Sequence, residues 1–470
     1  MHLHFGVHYS ILLLGSLGLA QDWARFRGPN GTGVALDADP PVEFGPEKNL
    51  AWKTPLAEGL SSPVLAGGWI FLTALEEEQL VTYGLNLQNG KVWWRRIVRR
   101  NRAEKLHKLN HAAAPSPASD GKDVFVFFPD FGLLAYSAEG DEKWRQPLGP
   151  FSNLYGMGAS PILAGDKVIL ACDQSKGSFI AAFDRHTGRQ AWRTERPEAL
   201  SGHSTPVLYQ PLKGGPKVIA PGSFRMDAYD LGTGRSAWWV NGLPGEMKSV
   251  PVIDGDRVFV HGFNTPENDP ERLIKVMPFD ELIAQQDRDG DKLISKSEAT
   301  PHSASGFVYV DLSGDGKLDR AEWEQYSRTM RAENALLVFR AGGEGDRTAA
   351  SLLWKFQRSI PQLPSPLVYR DVVYLINESG VLTTLDAATG KLFQQSRLRS
   401  ASDRYYASPV AAGGRIYIAS HTGVVTVLAA GGEPKVLAVN DLGEELLATP
   451  AIEGRRLFVR TRSALYCFRR

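Results

Sequence analysis

"SPILAGDKVILACDQSKGSFIAAFDRHTGRQAW", residues 160–192, holds the whole structural plan of the chain. A small residue and a proline open the segment, and an apolar strand follows. Gly165 and Asp166 turn it into a second, alternating strand, "DKVILAC" (166–172). A third strand runs into Asp184-Arg185-His186-Thr187-Gly188, where an Asp side chain folds onto nearby backbone and Gly supplies a positive φ. Trp192 then stands in a fourth strand.

The opening recurs as "SPV" (62–64), "SPA" (116–118), "SPI" (160–162), "TPV" (205–207), "VPV" (250–252), "SPL" (365–367), "SPV" (408–410) and "TPA" (449–451). Successive prolines are 54, 44, 45, 45, 115, 43 and 41 residues apart, so one unit of about 45 residues repeats eight times. The turn also returns, as "YDLGTGRSAW" (229–238) and "LDAATGKLF" (385–393). Four antiparallel strands per unit without alternating helices predict an all-β fold, an eight-bladed β-propeller. The recurring aromatics Trp93, Trp144, Trp192, Trp238, Trp354 and Phe393 are expected to pack between blades, because such rings bury a large area.

The last unit holds only three strands. "NLAWKTPL" (49–56) precedes the first as an orphan strand, and pairing it with the last blade would remove the exposed edges. Cys172 and Cys467, the only cysteines, fall on blades three steps apart and read as isolated buried thiols.

The 470 residues are 43% hydrophobic with a net charge of +1, so nothing global points to nucleic acid or an anionic membrane. The apolar run "YSILLLGSLGLA" (9–20) has the length of an export signal and is short for a membrane span, which predicts an exported, periplasmic or extracellular monomer. No later segment reads as a transmembrane helix. The units resemble the PQQ-type repeats of quinoprotein propellers. "WARFRGPNGTG" (23–33) further resembles exported bacterial propellers similar to BamB.

One interval is 115 residues long where about 45 is the rule. The surplus lies between "RVFVHGF" (257–263) and "NALLVFR" (334–340), in blade five. The chain therefore divides into a signal (1–20), an N-terminal extension (21–48), a first propeller part (49–263), an insertion (264–333) and a second propeller part (334–470).

Within the insertion, "DRDGDKLISKSE" (287–298) and "DLSGDGKLDRAE" (311–322) each resemble the twelve-residue calcium loop of an EF-hand, with oxygen ligands at positions 1, 3, 5, 7, 9 and 12. In the second loop these are Asp311, Ser313, Asp315, the Lys317 carbonyl, Asp319 through water, and Glu322, with Gly316 at the turn and Leu318 at the loop-pairing position. In the first they are Asp287, Asp289, Asp291, the Leu293 carbonyl, Ser295 and Glu298, with Ile294 at the pairing position. Lys292 stands where glycine is expected, which costs about 1 kcal/mol. "FDELIAQQ" (279–286) and "RAEWEQYSRTMRAE" (320–333) read as flanking helices, whereas Pro301 predicts a short or absent helix after the first loop. Ca²⁺ is the expected ion, with the second loop the stronger site.

The loop joining strands two and three of a blade emerges on the same face as the loops entering the first strands. The insertion should therefore stand beside the channel mouth with His111, Met157, His203, Lys248, Arg404 and Tyr405. The expected function is a calcium-dependent binding or scaffolding module whose mouth face takes a protein or polysaccharide. The alternative is a PQQ-dependent oxidoreductase or another enzyme working at the mouth. The resemblance would then imply a vicinal cysteine pair and a calcium inside the channel, and the chain has no Cys-Cys. The basic stretch 95–108 reads as a solvated loop between blades, or as a grip for an acidic partner.

Overall fold

A computed structural model describes residues 22–264, 268, 275–398 and 403–470; the expected export signal lies outside the described residues. Eight four-stranded antiparallel units form the blades. Blade one consists of Val64–Ala66, Trp69–Glu76, Gln79–Asn86 and Val92–Arg99. Blade five consists of Val252–Asp254, Arg257–Gly262, Ala335–Arg340 and Leu352–Phe356, with the insertion between its second and third strands. Blade eight takes Leu50–Pro55 as its outermost strand, paired antiparallel with Ala464–Arg469, as the orphan strand required.

The small residue before each repeat proline acquires a physical reason. Its backbone N–H donates to the hydroxyl of the equivalent residue in the next blade: Ser62 to Ser116, Ser116 to Ser160, Ser160 to Thr205, Val250 to Ser365, Ser365 to Ser408, Ser408 to Thr449 and Thr449 back to Ser62, all at 2.8–3.1 Å. The joint from Thr205 to Val250 has no hydroxyl to receive the bond, and there Ser204 Oγ donates to the Ser249 carbonyl at 2.7 Å instead. A belt of hydrogen bonds thus closes the circle around the axis.

The turn chemistry behaves as expected. Asp184 Oδ1 accepts from the His186 and Thr187 amides and from the Thr187 hydroxyl, and Asp230 and Asp386 do the same in their blades. The turn glycine has a second task. A Cβ on Gly140, Gly188 or Gly234 would lie 2.5–2.7 Å from the indole of Trp94, Trp144 or Trp192 in the preceding blade. Those indoles donate Nε1–H to the neighbouring turn carbonyls of Ala138, Arg185 and Leu231. At these three joints one blade is seated on the next by a ring under a glycine.

One aromatic is corrected by this register. Trp93 is 64% exposed and Trp94 packs in its stead. Phe393 is 41% exposed and stands one place early, with Gln394 opposite Thr384, yet its ring lies against the blade-seven turn, where a Cβ on Gly432 would be 2.9 Å from it. Trp144, Trp192 and Trp238 all follow their turn glycine by four residues, a spacing that selects Trp94 and passes over Phe393.

The N-terminal extension fills the axis. An innermost strand presents unpaired backbone groups to the channel. The amides of Leu65 and Ser119 donate to the Trp23 and Ala24 carbonyls, and that of Ala411 donates to the Gly33 carbonyl. Asn30 exchanges two hydrogen bonds with the Leu208 backbone. All four recipients lie two residues beyond a repeat proline. Val34–Ala35 then adds a parallel strand to Val410–Ala412 of blade seven. Cys172 and Cys467 are buried and free, as expected.

Candidate metal centre at the channel mouth

The insertion forms an arm of three helices, α1 (Phe279–Gln286), α2 (Pro301–Val310) and α3 (Arg320–Arg331). The first twelve-residue loop joins α1 to α2 and the second joins α2 to α3. The ten-residue α2 corrects the expectation drawn from Pro301. Proline at the first position of a helix loses no intrahelical bond and starts the helix instead of stopping it. Ile294 pairs with Leu318 in a two-residue antiparallel ladder, so the position-8 residues join the loops. Both side chains pack with Phe279, Leu282, Phe307, Val310 and Trp323 into a core of the arm's own.

The two loops share one hydrogen-bond scheme. Asp287 Oδ1 accepts from the Gly290 amide at 2.7 Å and Oδ2 from the Lys292 amide at 3.0 Å; Asp311 accepts from the Gly314 and Gly316 amides at the same distances. Asp291 and Asp315 each accept at 2.8 Å from the amide two residues on. The position-12 glutamates fold back across the loops. Glu298 Oε1 accepts from the Arg288 amide and Oε2 from the Ser295 amide, while Glu322 Oε1 accepts from the Ser313 amide and Oε2 from the Asp319 amide. Asp287, Asp289 and Asp291 each bring an oxygen within 4.8 Å of the others. Asp311 Oδ1 lies 3.3 Å from Ser313 Oγ, Ser295 Oγ donates to Glu298, and Asp319 also caps α3. Hard oxygen donors from six positions of a short loop are the chemistry that a calcium ion takes.

The loops differ electrostatically. Hydrogen bonds from the Ser295 hydroxyl and from loop amides hold the Glu298 carboxyl down to about 2. Burial pushes Glu322 up, against the amide hydrogen bonds it accepts. Lys317 reaches across from the second loop to pair with Asp291, which lowers that carboxyl.

Buried asparagines pin the arm to the ring. The Asn264 amide donates to Asn334 Oδ1 at 2.6 Å, Asn334 Nδ2 donates to the Asn264 carbonyl at 3.0 Å, and Asn264 Oδ1 accepts from the Gly245 amide at 2.7 Å. From this root α3 reaches blade four, where Arg328 pairs with Glu198 at 3.0 Å and lies 4.4 Å from the Phe224 ring centroid.

The mouth beside the arm is more tightly knit than sequence suggested. Met157 and Tyr405 are buried, not presented to solvent, while His203 is half-buried. Burial, then the Lys248 charge, takes His203 down to about 3, so its imidazole is neutral. Lys248 pairs with Glu246, and Tyr155 donates its hydroxyl to the same carboxylate at 2.8 Å. Tyr155 and Glu246 escaped sequence reading; Glu246 stands two residues before Lys248, the one hint available. Round the rim, His111, His421, Glu58, Glu445 and Arg462 line a recess of about 210 Å³, and the His421 amide donates to the Arg404 carbonyl at 2.8 Å. Three of the seven cations in the basic stretch are paired within the ring: Arg95 with Glu76, Arg100 with Glu78 and Asp130, and Arg102 with Glu104.

Comparison with known proteins bears on the ring. Residues 45–178 and 176–470 match the PQQ-repeat family described as "Outer membrane protein assembly factor BamB". The chain belongs to this BamB family. BamB of Burkholderia pseudomallei is 25% identical over 226 residues, 46% of this chain and 54% of that protein, so the match spans about half of the relative's length. BamB of Yersinia pestis is 24% identical over 328 residues, 67% of this chain and 75% of that protein. Among solved structures, a europium-containing methanol dehydrogenase superposes with a TM-score of 0.58 at 11% identity, over 94% of this chain and 90% of that one, a likeness of fold alone. Among the described residues, no helix is long and apolar enough to cross a membrane.

Proposed function

We propose that this BamB-family propeller is an exported scaffold, periplasmic or extracellular, that takes a protein partner on its mouth face and uses Ca²⁺ to order the arm standing there. The observation that carries the reading is the arm itself, two matched acidic loops locked to each other through Ile294 and Leu318 and to the ring through Asn264 and Asn334. The names of the relatives suggest a partner engaged in assembling outer membrane proteins. A polysaccharide is the other occupant that the broad polar face suits. Extracellular calcium modules commonly bind at about 10⁻⁴–10⁻³ M, so the ion would be structural wherever free calcium is millimolar.

Isothermal titration of the full chain with CaCl₂, repeated with MgCl₂, tests the metal. Saturable binding of two calcium ions per chain is expected; an isotherm indistinguishable from buffer, or identical for both cations, overturns it. The partner is tested by titrating a purified outer membrane assembly barrel into the chain in calcium and in chelator, beside a chain with the arm excised between Asn264 and Asn334. Equal binding in all three removes the arm from the function.

A further inference from the structure

Four arginines are buried among the described residues, and they are satisfied in different ways. Arg196 forms a two-pronged pair with Asp173 and also donates to Tyr229. Arg460 has no carboxylate, but it donates to the Ser61 carbonyl and hydroxyl and to the Ala57 carbonyl. Arg25 and Arg27, both in the extension that fills the channel, are served less completely: Arg25 donates through Nη2 to the Pro206 carbonyl at 2.5 Å and through Nη1 to Asn30 Oδ1 at 3.5 Å, which leaves only its Nε open. Arg27 is fully buried and donates through Nη2 alone, to the carbonyls of Pro366 and Thr32. Its Nε and Nη1, and Nε of Arg25, have no acceptor among the described residues. Neither arginine pairs with a described carboxylate, and burial alone takes both guanidinia down to about 9. His261 brings no negative charge: its Nε2 lies 2.9 Å from the Pro364 carbonyl, and burial with the Arg27 charge keeps the ring neutral.

Two guanidinium charges are thus enclosed on one axis with open N–H groups and no counter-charge. Isolated buried charge is costly enough that proteins pair it or neutralise it. A guanidinium that stays protonated at neutral pH leaves pairing as the remedy. We propose that the propeller axis holds a small inorganic anion of the chloride class, bound by Arg27 Nε and Nη1. The anion completes the plug formed by residues 22–39 and so acts on the integrity of the ring, independently of the calcium arm.

Crystals of the full chain grown in bromide provide the direct test, with anomalous scattering as the readout. A bromide peak against the Arg27 guanidinium is expected, together with a melting temperature that rises by about 2 °C between 1 and 100 mM chloride at an ionic strength held constant with gluconate. Arg27→Met should abolish the chloride response. If that variant does not fold, the wild-type bromide map and the chloride dependence of the wild-type melting temperature still decide the matter. Water density without anomalous signal overturns the site. So does a peak without any chloride effect on melting, which marks an adventitious ion only.

Discussion

The two loops of the arm are alike in backbone and unlike in charge. Each holds its first aspartate with amides three and five residues on, at equal distances, and each folds a glutamate back from position 12. Yet Lys292 takes a φ of 64° where Gly316 takes 83°, Glu298 is held low by hydrogen bonds where burial pushes Glu322 up, and Asp291 is engaged by the Lys317 ammonium. A shared hydrogen-bond scheme therefore fixes shape without fixing affinity. Affinity is set by what the ion must displace or endure, and on that count the second loop should bind calcium more tightly.

The largest effect expected is from the position-12 glutamates. Glu322→Gln removes a ligand that can offer two oxygens and a full charge, and should weaken the second site by about 100-fold, roughly 2.7 kcal/mol, leaving one site in a calorimetric titration. Glu298→Gln should instead eliminate the weaker site and leave the tighter one in place. If either substitution removes both sites, the pairing of Ile294 with Leu318 makes the loops one cooperative unit, and the comparison between them dissolves.

A smaller effect tests the backbone. Lys292 pays for left-handed geometry that glycine adopts freely, so Lys292→Gly should strengthen the first site by about five-fold, about 1 kcal/mol, without moving the second. Equal calcium affinities in wild type and variant would mean that the neighbouring hydrogen bond from the Lys292 amide to Asp287 already absorbs the strain.

How much of this could be read beforehand follows from the range of the interactions. The blades, the closing strand, the arm and its two loops rest on local patterns repeated at fixed spacing, and they stand in the sequence. Pro301 misled because one residue type both ends helices and begins them, and only the chain following it decides which. The hydroxyl belt and the axial arginines were not legible for a different reason: their partners arrive from other blades. Ser62 meets Thr449, and Arg27 meets Pro366, only once the circle has closed. Trp94 was within reach, through its four-residue distance from Gly90.

The smallest expected effect isolates charge from backbone. Lys317 contributes its carbonyl to the second loop by position, while its ammonium pairs with Asp291 of the first. Lys317→Met preserves the carbonyl and deletes the ammonium. Calcium entering the first loop no longer has to displace a cation from Asp291, so that site should tighten. The Lys317 side chain is 41% exposed and that of Asp291 31%, and such exposed pairs contribute about 0.2–1 kcal/mol, so a gain of roughly 1.5- to 5-fold is expected in low salt. The gain should shrink at high ionic strength, because exposed charges are screened over about 3 Å in 1 M salt. If tightening persists undiminished in 1 M KCl, the lysine hinders the first loop through its bulk and not its charge. The difference between the loops would then be steric at both positions, 292 and 317.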